Sequence, residues 1–171
     1  SGDMDIDGTS NMDAIDVDGA ANFAADVTIA TGADLITATA GTSNTRVGVN
    51  AGDAIQSGGN YNVVIGDEAG TAITTGDENI FIGYASGDAT TTASDNTGVG
   101  HEALTTNILG SRSVAIGANS LLTQNPASAA NMYNTAVGYD SGRAITTGTT
   151  NTIVGGFAGD ALTTGSANTA I

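Results

Sequence analysis

Few side chains in this sequence are of a kind that does chemistry. Two carboxylates, Glu68 and Glu102, recur at the same place in a repeating pattern, two repeats apart. If each repeat is one stacked β-coil, they stand roughly 9.6 Å apart, near the upper end of the separation used by inverting glycosidases. The same place also holds Asn50, Ala85, Asn119 and Phe157, and nothing in the pattern suggests a cleft. His101 is the single His. Its counterparts are Asp67, Tyr84, Tyr139 and Gly156, which marks a variable surface position rather than part of a Ser-His-Asp or metal cluster. A third set is Asp5-Ile6-Asp7-Gly8 and Asp16-Val17-Asp18-Gly19. A Ca²⁺ ion wants six to eight oxygens, and these runs supply part of a loop without its closing Glu. They read as a solvated acidic strand face; the alternative is a Ca²⁺ site shared between chains. The expectation is a protein without catalysis or cofactor.

The charge balance narrows the partners. There are 18 acidic residues and three Arg in 171 residues, a net charge of −15. A chain with almost no cations cannot neutralise phosphates, so nucleic acid is not an expected partner. No run is apolar and long enough to cross a membrane as a helix, and the opening residues do not read as a basic n-region with an apolar h-region. There is no Cys, so no disulfide framework exists.

The elements that position these residues come from a repeat. Asn44, Asn62, Asn79, Asn96, Asn134, Asn151 and Asn168 each open a short apolar run, with Ser113 in the same place once. Most spacings are 17 residues, with 18 at the first step and 21 at the insertion between Ser113 and Asn134. Three residues on is always β-branched: Val47, Ile65, Ile82, Val99, Ile116, Val137, Val154 and Ile171. Gly follows that position in Gly48, Gly66, Gly83, Gly100, Gly117, Gly138 and Gly155. Seven residues after the start stands Ala or Ser, and a second apolar position recurs in Ile55, Ile73, Ile145 and Leu162.

Both runs are β-branched-rich and both stop at Gly, which argues strand and turn. Helix is disfavoured, because Gly recurs too often and no 3.6-residue stripe exists. The predicted fold is all-β: a parallel β-solenoid of about seven 17-residue coils over residues 42–171, preceded by an acidic β-rich stalk at residues 1–41. That stalk holds eight Asp and no cation. The Val/Ile column is expected to point inward, and the Asn column to form an amide ladder along the axis. A thin coil of Ala, Val and Gly encloses little apolar volume, so association of several chains is expected.

The runs SNTRVG, YNVVIG, ENIFIG, YNTAVG and TNTIVG resemble the repeats of trimeric autotransporter adhesin heads. They resemble still more the N-T-A-[VI]-G repeats of phage tail-fibre proteins. The resemblance implies a left-handed β-roll, a homotrimer, and a shaft or head of an adhesive fibre on a virion or cell surface. It also implies further fibre components and a receptor-binding tip beyond Ile171, which stops four residues into an eighth copy. The host-surface partner implied is a glycan or protein, and a bacterial surface adhesin head is the alternative.

Three departures from the repeat are candidates for function. The segment from Leu121 to Tyr133 carries the insertion and the single Pro, so Gln124, Asn125, Pro126 and Tyr133 form a candidate receptor-contact loop. The aromatics Tyr61, Phe81, Tyr84, Tyr133, Tyr139 and Phe157 suit sugar stacking or, for Phe81 and Phe157, packing between chains. Thr74, Thr91, Thr146 and Thr163 align as an ice-binding solenoid would require, although Gln56 and Ile108 interrupt them.

Overall fold

A computed structural model describes residues 39–171. The expectations for the stalk therefore fall, except for its last three residues, outside the described residues, and the Asp pairs fall outside them entirely.

Each coil contributes one three-residue strand where the sequence runs from the residue after Asn to the residue before Gly. These are β1 (Thr45–Val47), β2 (Val63–Ile65), β3 (Ile80–Ile82), β4 (Thr97–Val99), β6 (Val114–Ile116), β8 (Thr135–Val137) and β9 (Thr152–Val154), closed by β10 (Thr169–Ala170). They pair in parallel in the order β1-β2-β3-β4-β6-β8-β9-β10, each residue against its counterpart one repeat on. Two further strands, β5 (Gly110–Ser111) and β7 (Ala130–Asn131), pair beside the insertion. There is no helix among the described residues. The chain is a β-solenoid of about seven turns.

The Gly that ends each strand has two reasons to be Gly. Its φ lies between 125° and 140° in all seven copies, where a side chain is strained. A Cβ on Gly66 would also sit 2.7 Å from the backbone of Gly83 in the next coil. Backbone meets backbone along this edge, so no side chain fits.

The other corners are turned by residues that do have side chains. The residue before each Asn position, from Ser43 to Ala167, takes a φ of 52–62°. The residue two after the Gly, from Asn50 to Phe157, takes 50–59°. Left-handed backbone costs a non-Gly residue about 1–2 kcal/mol. Its amide is used in return: Glu78 N–H donates to Asn60 O at 2.9 Å and Glu102 N–H to Tyr84 O at 2.9 Å, each one coil back.

The interior corrects the expectation for the Val/Ile column. Val47, Ile65, Ile82, Val99, Ile116, Val137 and Val154 point outward and are exposed or half-buried; Val47 is 51% accessible. The residue before each of them is inside: Val64, Phe81, Gly98, Ala115, Ala136 and Ile153 are buried, and Arg46 is partly so. Side chains alternate along a strand, so one inward residue decides the rest. Here that residue is Asn, whose amide must reach the buried turn carbonyls.

Packing inside is compensated between columns. Phe81 fills the strand column of its coil, and Gly87 stands at the corner facing it; a Cβ there would lie 2.5 Å from the ring. In the next two coils the strand column shrinks to Gly98 and Ala115, and the corner column becomes Leu104 and Leu121, both fully buried. Both Leu accept left-handed φ values of 57° and 48° to do this. The volume lost from one wall is returned from the other.

Candidate functional site

The Asn column is a continuous ladder. Asn62 Oδ1 accepts from Asn79 N–H at 3.0 Å and from Asn79 Nδ2 at 3.1 Å. Asn79 Oδ1 does the same for Asn96 at 3.1 and 3.2 Å. Asn134 Oδ1 serves Asn151 at 2.9 and 3.1 Å. Each amide also donates to a turn carbonyl of its own coil: Asn62 to Gly76 O, Asn79 to Ala93 O, Asn96 to Gly110 O, Asn134 to Gly148 O, at 2.8–3.0 Å. Asn62, Asn79, Asn96, Asn134 and Asn151 are buried.

At Ser113 the ladder loses a side-chain amide, and Gln124 replaces it. Ser113 Oγ donates to Gln124 Oε1 at 3.1 Å, and Asn134 Nδ2 donates to the same oxygen at 2.9 Å. Gln124 Nε2 donates to Asn107 Oδ1 at 3.2 Å, and Asn107 closes a turn through Gly110. Gln124, Asn107 and Thr90 occupy the column held by Ile55, Ile73 and Ile145 in other coils. Among the described residues no buried side-chain nitrogen or oxygen lacks a partner.

Gln124 is thus a correction: it is fully buried and belongs to the interior, not to a receptor-contact loop. Pro126 is buried too. Asn125 and Tyr133 are exposed, and the outward part of the insertion is residues 127–129, Ala-Ser-Ala. Such small side chains offer a ligand little to grip. Tyr133 lies apart at a corner, where Arg112 donates to its hydroxyl at 3.3 Å and also pairs with Asp95 at 3.3 Å.

The other candidates are all on the outside or spent internally. His101 is exposed, stacks on Tyr84 at 5.4 Å, and sits 3.9 Å from Glu102. Glu68 and Glu102 stand on the same corner, Glu68 one coil before Tyr84 and Glu102 in the coil of His101. The Glu68 carboxylate, by its charge and then by a hydrogen bond, raises the pKa of the Tyr84 phenol. Among the described residues no group of three or more His, Asp or Glu is placed to hold a metal ion. Three of the four Thr hydroxyls of the ice-binding candidate are engaged within the chain: Thr74, Thr91 and Thr146 donate to carbonyls of Thr91, Ile108 and Thr163 at 3.2–3.3 Å. Phe81 is buried within its own chain, so it does not pack between chains; Phe157 is exposed and meets Tyr139 edge-on at 5.3 Å.

The feature that sequence reasoning missed is the outer face of the long sheet. Two ranks run along it: Thr45, Val63, Ile80, Thr97, Val114, Thr135, Thr152 and Thr169 in one, and the Val/Ile column in the other. The signal was present in the strict alternation after each Asn, once Asn is taken as an inward residue. No helix among the described residues is long and apolar enough to cross a membrane. Comparison with protein-family models, with curated proteins and with solved structures found no match.

Proposed function

We propose that this chain is a structural segment of a fibre, a rod that holds an adhesive tip away from a virion or a cell surface. Identical chains lie side by side in it, three in number on the tail-fibre resemblance. The observation that carries the reading is the Asn ladder, which is maintained from coil to coil and repaired by Gln124 where Ser113 would break it. A binding or catalytic module needs a constellation at one place; a rod needs the same bond repeated along its axis. Repeated hydrogen-bonded coils resist opening from the middle, because each coil is held on both sides. The role is non-catalytic and needs no cofactor.

Immunogold labelling tests it. Antibody raised against the purified chain should decorate fibres on the particle or cell that encodes it. Label confined to the cell interior overturns the reading.

A further inference from the structure

We infer that the outer face of the long sheet is the surface on which further copies of this chain dock. The inference rests on the side-by-side reading above and assigns its interface. Fifteen outward strand positions make up the two ranks, and every one is Thr, Val or Ile. A chain of net charge −15 leaves this strip without a single charged or amide side chain. Depletion of charge from an apolar patch is the compositional mark of an interface core, and an exposed strip of this kind calls for a partner.

The borders of the strip point the same way. All four Tyr of the sequence stand in the two corner columns that flank it. Tyr61 and Tyr133 lie on the side where the strands begin, and Tyr84 and Tyr139 on the side where they end, each 46–58% exposed. Tyr is enriched at protein interfaces because it adds contact area at low entropic cost.

Size sets how far the interface extends. Eight strands about 4.8 Å apart, and a width of four to five residues, give a flat strip on the order of 500 Å². A stable two-chain complex buries about 800 Å² on each partner. The strip alone falls short, so the interface takes in the Tyr corners beside it as well.

The test measures mass in solution by light scattering. The parent should elute as a small multiple of the 16.6 kDa chain, three on the proposed reading. Ile82→Lys with Ile116→Lys places charges in the outward rank, and the mass should fall to one chain with the β-type circular dichroism unchanged. Thr75→Lys with Thr147→Lys, on an exposed corner away from the sheet, should leave the mass at its parental value. The chain has no Cys, so single thiols give a second readout. Val99→Cys should be protected from maleimide in the parent assembly and Thr147→Cys should react, which decides the matter even if the Lys variants fail to fold. A parent that stays a single chain overturns both this inference and the side-by-side reading; if it also shows thermal hysteresis, the face belongs to ice. An oligomer that survives the Ile→Lys pair, with Val99→Cys fully reactive, overturns the interface alone.

Discussion

Gln124 Oε1 accepts hydrogen bonds from Asn134 Nδ2 at 2.9 Å and Ser113 Oγ at 3.1 Å, and so stands in for the one amide missing from the Asn column. The two residues are ten apart in sequence and belong to consecutive coils. The insertion that separates them is tolerated because this bond carries the ladder past it.

Gln124→Ala should therefore be costly. It leaves the Asn134 amide and Ser113 hydroxyl short of an acceptor inside the protein and opens a cavity. An unpaired buried polar group costs about 1–3 kcal/mol, so a total loss of about 3 kcal/mol or more is expected. Asn125→Ala, at an exposed neighbour, should change stability by less than about 0.5 kcal/mol. Chemical denaturation of the two variants checks the pair, and equal losses would contradict the bridging role.

The ladder itself makes a chemical prediction. Asn79 must accept from the next coil and donate to Ala93 O and to Asn62 Oδ1. Asn79→Asp keeps the shape and the acceptors but removes the donors, setting a carboxylate against two oxygens. It should destabilise at neutral pH at least as much as Asn79→Ala, by about 2–4 kcal/mol. If Asn79→Asp proved neutral in thermal melts, the amide would not be acting as a donor.

Phe81 and Gly98 face each other across the pairing of β3 and β4. A Cβ on Gly98 would lie 2.9 Å from the Phe81 ring and 2.8 Å from Ser86 Oγ. Gly98→Ala should cost about 1–3 kcal/mol by overpacking. In the Phe81→Leu background the cost should shrink, with a coupling of about 0.5–3 kcal/mol in a double-mutant cycle. Additive losses would mean that the ring is not what excludes the methyl group.

Asp88 gives a pH dependence. Burial, first, and the nearby Glu68 charge raise its pKa, against a lowering hydrogen bond from Thr71. A raised carboxylate pKa means that the folded state holds the proton more tightly than the unfolded chain. Its contribution to stability is then fullest below the unfolded pKa and is lost as pH rises through the folded value. Asp88→Asn should be more stable than the parent at pH 7, and the difference should close near pH 3. Thermal melts at the two values decide it; a variant no more stable at pH 7 refutes the expectation.

Much of the architecture was legible from residue spacing. Gly66 and Gly83 recur at a fixed distance because each closes a strand with φ near 130° against the next coil's backbone, and no other residue does both. Asn62 and Asn79 recur because a buried amide can bond in both directions along a stack. What was not legible was parity. Val47 and Ile116 read as core because they are apolar and invariant in type, yet they lie outside. A two-residue period tells which side chains share a face and says nothing of which face is covered.

The candidate site shows the same division. Gln124 looked like a loop residue because it lies in the insertion and is polar. Its register, 11 residues after Ser113 as Ile73 is after Asn62, puts it in the column of Ile55 and Ile73, but only the stacked coils reveal that it is buried there and reaches the place that Ser113 leaves short. The repeat, its period and its strand-and-turn chemistry follow from local spacing, since each depends on residues within one coil. Inside and outside, the exchange of Gly98 for Leu104, and the charge-free outer strip follow from contacts between coils. Those contacts join residues about 17 apart, and only stacking brings them within bonding distance.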